Sequence, residues 1–159
     1  MSDLTTLEMW ELASYVVTVF GLPYAITMLM LDNYKERQLE MEELYQKLAE
    51  EYAKFANLMI ENADLRLMTG HIPDSELSPE QVERKKIIFD MLVALFERAY
   101  ILVYEDKMDK QTRRLWATWE DYIKFWCRRD DFKKMLPELL VGEDPDFSGY
   151  IRRSAGMIQ

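Results

Sequence analysis

Few side chains in this chain could carry bond-making chemistry, and they lie far apart in the sequence. Cys127 is the one cysteine and His71 the one histidine. A cysteine nucleophile needs a base beside it. The single imidazole falls in MTGHIPDSELS, residues 68–78, a stretch whose Gly, Pro, Asp and Ser mark a loop. Cys127 reads more simply as a small residue on a helix surface or in a core. Carboxylate-bridged di-iron bundles need two Glu-x-x-His motifs, and finger-type zinc sites need more than one cysteine, so neither can be assembled. The 5 glycines are scattered, with no phosphate-cradling G-x-G-x-x-G or Walker pattern. Asp90, Glu97 and Arg98 interrupt an apolar run and could line a polar pocket. The simpler reading has them facing solvent or paired within a bundle. An enzyme would have to be built from Glu97, Asp90 or His71. The expectation is a chain with no catalytic residues, no cofactor and no metal.

A basic, aromatic region is the other candidate. Residues 110–134 hold 8 bases and 4 acids, with tryptophans between them. Base stacking on a nucleic acid is one use of that combination, but the tryptophans recur at helix-core spacing, which favours packing. The net charge of −9 also opposes phosphate binding, so no nucleic-acid partner is expected. Arg113, Arg114, Arg128, Arg129, Lys133 and Lys134 form a candidate contact surface. They could touch an anionic membrane leaflet, at about 1 kcal/mol per nearby base. They could equally pair with the acidic segment that begins at residue 32.

The elements that must position these groups are helices. Of the 159 residues 49% are hydrophobic and 31% charged, with only 5 Gly and 5 Pro, a globular and helix-prone composition. The most telling segment is SYVVTVFGLPYAITMLML, Ser14–Leu31. At its widest the uncharged window runs from Leu12 to Leu31, between Glu11 and Asp32. At about 1.5 Å per residue it reaches roughly 30 Å, the thickness of a bilayer core. It is apolar all round, unlike an amphipathic surface helix. Ser14, Thr18 and Thr27 can return their hydroxyls to the helix's own carbonyls. A signal peptide fits badly: Asp3, Glu8 and Glu11 stand where positive charge belongs, and no A-x-A cleavage site comes after the segment. A fully buried central helix of a soluble bundle is the competing reading, and it would need a complete jacket of other helices. Lys35, Arg37 and Lys47 lie beyond the segment and no base precedes it, which places residues 32–159 on the cytoplasmic side of the cell inner membrane. Trp10 and Tyr34 stand at its two ends, where interfacial aromatics belong. Pro23 is expected to kink it. Ser14, Thr18, Gly21 and Ala25, at spacings 4, 3 and 4, form a stripe of small side chains that would let another helix approach.

Beyond Asp32 an amphipathic pattern of Leu44, Leu48, Tyr52, Phe55 and Met59 predicts a long helix to about Leu67. No Pro or Gly separates it from the apolar segment, so it reads as a stalk. Ser78, Pro79 and Gln81 make a capping box for the next helix, whose apolar part runs from Ile87 to Tyr104. Asp90, Glu97 and Arg98 would each cost about 2.5–3.5 kcal/mol near a bilayer centre, so this is a bundle helix rather than a second span. A further helix begins near Asp109, with Leu115, Trp119, Tyr122 and Trp126 in a stripe and Trp116 and Ile123 beside it. Asp130 is expected to cap a short helix that Pro137 limits, and GEDPDFSG reads as a turn-rich link before one last turn at Tyr150 and Ile151.

Over roughly Ile87 to Arg153 the chain resembles a group of uncharacterised bacterial membrane-anchored helical proteins. Their Phe-Glu-x-x-Tyr helix is succeeded by a Trp-x-x-Trp-x-x-Tyr helix and a later Phe. The matching residues are Phe96, Glu97, Tyr100, Trp116, Trp119, Tyr122, Phe132 and Phe147. The resemblance implies a helical fold behind one N-terminal membrane helix and supplies no catalytic residues.

These readings give an all-α protein with one N-terminal transmembrane helix followed by a cytoplasmic helical bundle. The expected order is a short extracytoplasmic start (1–11), the span (12–31), an amphipathic stalk (32–67), a bundle packing on that stalk (78–153) and a tail (154–159). The expected function is that of a membrane-tethered accessory or scaffold protein, a homo-oligomer or a subunit of a larger membrane complex. The alternative is a membrane-proximal sensor holding a small apolar ligand or lipid, in a pocket lined by Trp116, Trp119 and Tyr122.

Overall fold

The computed structural model describes residues 6–70 and 72–158. Every regular element among them is helical. Helix α1 spans Thr6–Val16, a single π-helical turn covers Val17–Gly21, and α2 runs from Leu22 to Glu61. Short 3-10 turns at Ala63–Leu65 and Asp74–Glu76 lead to α3, Pro79–Val103. Then come α4, Lys110–Cys127, α5, Asp130–Leu139, and α6, Pro145–Ser154.

The chain divides into two compact units, Met1–Gln46 and Lys47–Gln159. The division falls inside α2, not at the end of the apolar segment or in the loop after Leu67. The reason is where burial begins. Leu48 is the first buried residue of α2, and Phe55 is the next. The acidic turns before it present no sustained apolar stripe.

In the first unit, every residue from Ala13 to Glu40 is exposed. The helix is long and apolar enough to cross a membrane, and its most apolar stretch is 0% buried. The π turn ends two residues before Pro23. Proline has no N–H to give the carbonyl four residues back, and its ring crowds that carbonyl. One widened turn removes the conflict without ending the helix. Thr18 Oγ1 donates to Ser14 O and Thr27 Oγ1 to Pro23 O, both at 2.8 Å, so the hydroxyls are satisfied within the helix.

The second unit is built on α3. Phe89, Leu92, Val93, Phe96 and Ala99 are fully buried on its inner face. The capping box is formed as expected from sequence: Gln81 N–H donates to Ser78 Oγ at 3.2 Å, and Ser78 N–H donates to Gln81 Oε1 at 2.9 Å. Against α3 lies α4, capped by Asp109. Its buried line is Trp116, Trp119, Ile123, Trp126 and Cys127, one position round from the stripe read in sequence, and Leu115 and Tyr122 flank it. Trp126 is the hub, with Phe55, Phe89, Tyr122 and Phe125 edge-on to it at 5.8–6.3 Å.

Two short helices differ from the sequence reading. The cap position of α5 is Arg129 rather than Asp130, and the helix carries Pro137 inside it, to Leu139. Pro137 forfeits one bond near the C-terminus, while buried Leu136 and Leu139 hold the turn in place. Helix α6 is a full ten residues, not one turn. Asp144 accepts from the N–H groups of Asp146 and Phe147, and Pro145 occupies the first helical position. The tail is also tied down: Ala155 is buried, and Gly156, at φ +68°, closes the helix in a left-handed turn.

One buried charge organises the middle of this unit. Lys85 is 2% exposed, pairs with Asp74, and stands 3.7 Å from Asp131 Oδ2. Asp131 is in turn held by Arg129 through two bonds of 3.0 and 2.8 Å, and Arg129 also donates to Leu67 O. Loop 62–77, α3 and α5 are thereby joined. Burial pushes the Asp131 carboxyl upward. The Arg129 hydrogen bonds and charge, the Phe132 amide and Lys85 outweigh that and hold it below its usual value. A depressed carboxyl pKa gives stability that is present above the unfolded value, about 3.9, and lost as pH falls through the lower folded value. Asp131→Asn should therefore lower the stability of the detergent-solubilised chain by about 3 kcal/mol at pH 7, read as a reduced urea midpoint. The gap to wild type should narrow below about pH 4. Equal midpoints at pH 7 would contradict the account.

Candidate functional site

The residues of the Phe-Glu-x-x-Tyr and Trp-x-x-Trp-x-x-Tyr patterns meet at the junction of α3, α4 and α6. Phe96 and Phe147 are fully buried, and Trp116 and Trp119 nearly so. Tyr100 lies 5.9 Å from Trp116 and 5.7 Å from Phe147, and Phe96 lies 5.5 Å from Tyr122. These rings are a packed core, in the offset and edge-on arrangements that aromatic quadrupoles prefer. Glu97 is the polar member of the set. Its Oε1 accepts the backbone N–H of Asp144 at 2.5 Å, so it fixes the residue that caps α6.

A cleft of about 510 Å³ opens beside this junction, between the end of α3 and the start of α6. Tyr100 and Tyr104 stack at 4.6 Å and 13° along one side. Glu105, Asp106, Asp144 and Asp146 contribute carboxylates, and Arg153 is the cation among the lining residues. Such a lining favours positive over negative solutes. Sequence reasoning missed this cleft because α6 does not stand out there as a helix. The Asp144-Pro145 pair, a cap and then a first-turn proline, was the signal that could have found it.

A second, apolar groove of about 320 Å³ is lined by Tyr52, Ala56, Met59, Ile60, Leu67, Met68 and Tyr122, among others. The expected ligand pocket of Trp116, Trp119 and Tyr122 is not gathered into one cavity. Both tryptophans are buried, 4% and 8% exposed, and only Tyr122 reaches the groove. Burial pushes the Tyr122 phenol up to about 12, so it presents a neutral hydroxyl.

Of the six basic candidates, Arg113, Arg114, Arg128 and Lys134 are exposed, and Lys133 is half-buried. Arg129 is occupied: besides Asp131 and Leu67 O, its guanidinium lies 5.6 Å over the Trp126 ring. Cys127 is buried and its thiol pushed up to about 12 by that burial, so little of it is thiolate near neutral pH. His71 lies outside the described residues. Asp90 and Arg98 are exposed on α3, and Arg98 pairs with Glu51 at 3.1 Å. Among the described residues, no three His, Cys, Asp or Glu side chains gather to hold a metal ion.

The small-residue stripe is divided by the π turn. An inserted residue rotates the rest of the helix by about 100°. Thr18 and Gly21 both lie within that turn, so the four residues do not keep the register of a regular α-helix. A Cβ added at Gly21 would meet only Val17 Cγ1, at an ordinary 3.6 Å. Nothing within this helix demands a glycine there.

Among the described residues, Glu143 is the carboxyl pushed furthest from its ordinary value. Its hydrogen bond with Glu97, then burial, then the charges of Glu97 and Asp90 push it up to about 7. A carboxyl raised in the folded state gives stability fully present below its unfolded value, about 4.3, and lost as pH rises through the folded one. Over the interval from pH 5 to 8 the urea midpoint of the wild-type chain should therefore fall, and that of Glu143→Gln should fall less. Parallel profiles for the two proteins would contradict the raised Glu143 carboxyl.

Compared with known proteins, the chain matches no family model, no curated protein and no solved structure.

Proposed function

We propose that this chain is a single-pass inner-membrane protein, anchored by residues 12–31, whose cytoplasmic helical unit serves as an accessory or scaffold element through helix–helix assembly and protein–protein contacts. One observation carries the reading: a bilayer-length, uncharged helix none of whose described residues is covered by the rest of the chain. A soluble bundle would bury such a helix. Support for the orientation comes from Lys35, Arg37 and Lys47 on its C-terminal side, and support for the span from exposed Trp10 and Tyr34 at its two ends. Support for assembly comes from the unused Gly21–Ala25 pair. The partners are the membrane and either further copies of this chain or the other subunits of a membrane complex.

A second reading, a membrane-proximal sensor for a small apolar ligand or lipid, has the apolar groove by Tyr52 and Met59 in its favour. Lipid extract should then shift the tryptophan fluorescence of the wild-type chain but not of Ala56→Phe, which fills the groove.

A reporter fused to the C-terminus tests the anchored reading. In intact cells stripped of their outer barrier the reporter should resist added protease, and it should be cut only after the inner membrane is permeabilised. Cleavage from outside without permeabilisation would overturn the orientation.

A further inference from the structure

The outer face of α3 is uncovered. Ile87, Met91, Ile101 and Leu102 are each about half exposed or more, at 53%, 49%, 61% and 48%. Ala94 is exposed between them. At about 100° per residue, Ile87, Met91, Ala94, Arg98 and Ile101 fall on one line, at spacings 4, 3, 4 and 3. That is the seam of a helix that packs lengthwise on another helix. Its apolar side chains stay open to the outside, although Arg98 on this line pairs with Glu51 of α2 and Ile101 borders the cleft beside α6, and the opposite face of α3 is the centre of the core.

The charges on this face choose the occupant. Asp90 lies four residues before Ala94 and Arg98 four residues after it, and both are exposed. Among the described residues Asp90 has no cation partner. Two α3 helices laid antiparallel about a two-fold axis at Ala94 place Asp90 of each beside Arg98 of the other, and Ile87 beside Ile101. The small Ala94 side chains meet at the axis, where close approach is needed. Parallel pairing would set Asp90 against Asp90 and Arg98 against Arg98, which repel. A self-complementary patch of this kind is what an isologous dimer requires.

We infer that α3 is the homodimer seam of this protein: two copies pair antiparallel through Ile87, Met91, Ala94 and Ile101, locked by reciprocal Asp90–Arg98 ion pairs. The inference rests on the proposed anchored, self-assembling reading and names its surface. One helix face is small beside interfaces that hold free proteins together. Confinement to one membrane raises the effective concentration of the two copies and makes such a face sufficient. Arg98 keeps its own Glu51 on one side and meets the second copy's Asp90 on the other.

Cysteine cross-linking of the full chain in its native membranes tests this. Cys127 is buried and stays out of the reaction. Under mild oxidation Ala94→Cys should give a disulfide-linked species of twice the chain mass, because only a position on the axis meets itself within disulfide reach. Lys134→Cys, at an exposed position of α5, should not. Adding Asp90→Arg to Ala94→Cys should cut the cross-linked fraction roughly fivefold, and adding Arg98→Asp as well should restore it. Circular dichroism checks that each variant keeps its helix content, as expected for exposed positions. If Ala94→Cys stays monomeric while Gly21→Cys cross-links, the seam is overturned and assembly through the anchor stands. If neither links and the extracted protein has the mass of one chain, seam and assembly both fall. A cross-link from Ala94→Cys to a protein of different mass, or to nothing while the face resists water-soluble thiol reagents, overturns the second copy in favour of another partner or of lipid.

Discussion

The strongest physical constraint in this chain is an apolar helix whose described residues are exposed along its length. Tyr15, Val17, Val19, Phe20, Leu22, Tyr24, Leu29 and Met30 are each well over half exposed. Leaving one large apolar side chain in water forgoes about 1.5–3 kcal/mol. Summed along the segment, the loss is comparable to the whole net stability of an ordinary domain, roughly 5–15 kcal/mol. The lipid environment proposed for the segment would remove that cost. The polar atoms of the segment agree: Thr18 and Thr27 are satisfied inside the helix. The π turn at Val17–Gly21 lets Pro23 stand in the helix without opening the backbone to its surroundings.

The second unit obeys the opposite logic. It hides a dense aromatic core, and where it buries charge it does so in a closed set. Lys85 sits between Asp74 and Asp131, and Arg129 closes Asp131 from the other side. Buried ion pairs of this kind add little net stability but are costly to break. They fix which surfaces meet. Here they seat loop 62–77 and α5 against α3 and leave the outer face of α3 free. The Glu97–Asp144 contact does the same for α6. A few polar contacts thus seat the short helices and the loop of this unit against α3.

Much of this was legible in the residues. The capping box at Ser78 and Gln81, the separate burial of α3, and the long run of α2 come from periodicity and cap chemistry. Where the reading failed, a local rule weighed too heavily. Pro137 reads as a helix stop, yet a proline near a C-terminus loses one bond, and buried Leu136 and Leu139 hold the turn. The Gly, Asp and Pro of GEDPDFSG read as turn residues, although Asp144-Pro145 is equally a helix start. Arg129 looks like one base in a surface cluster, because its pairing with Asp131 depends on how α4 and α5 meet. Lys85 carries no signal at all: in sequence it is one of two adjacent lysines, and only the fold shows which of them is buried.

The central claim is that the segment from Leu12 to Leu31 resides in a bilayer. Alkaline carbonate extraction of membranes from cells making the full chain tests it directly. The account predicts that the protein stays in the membrane pellet and leaves it only with detergent. Release into the supernatant as a water-soluble particle, with the apolar helix covered by protein, would contradict it.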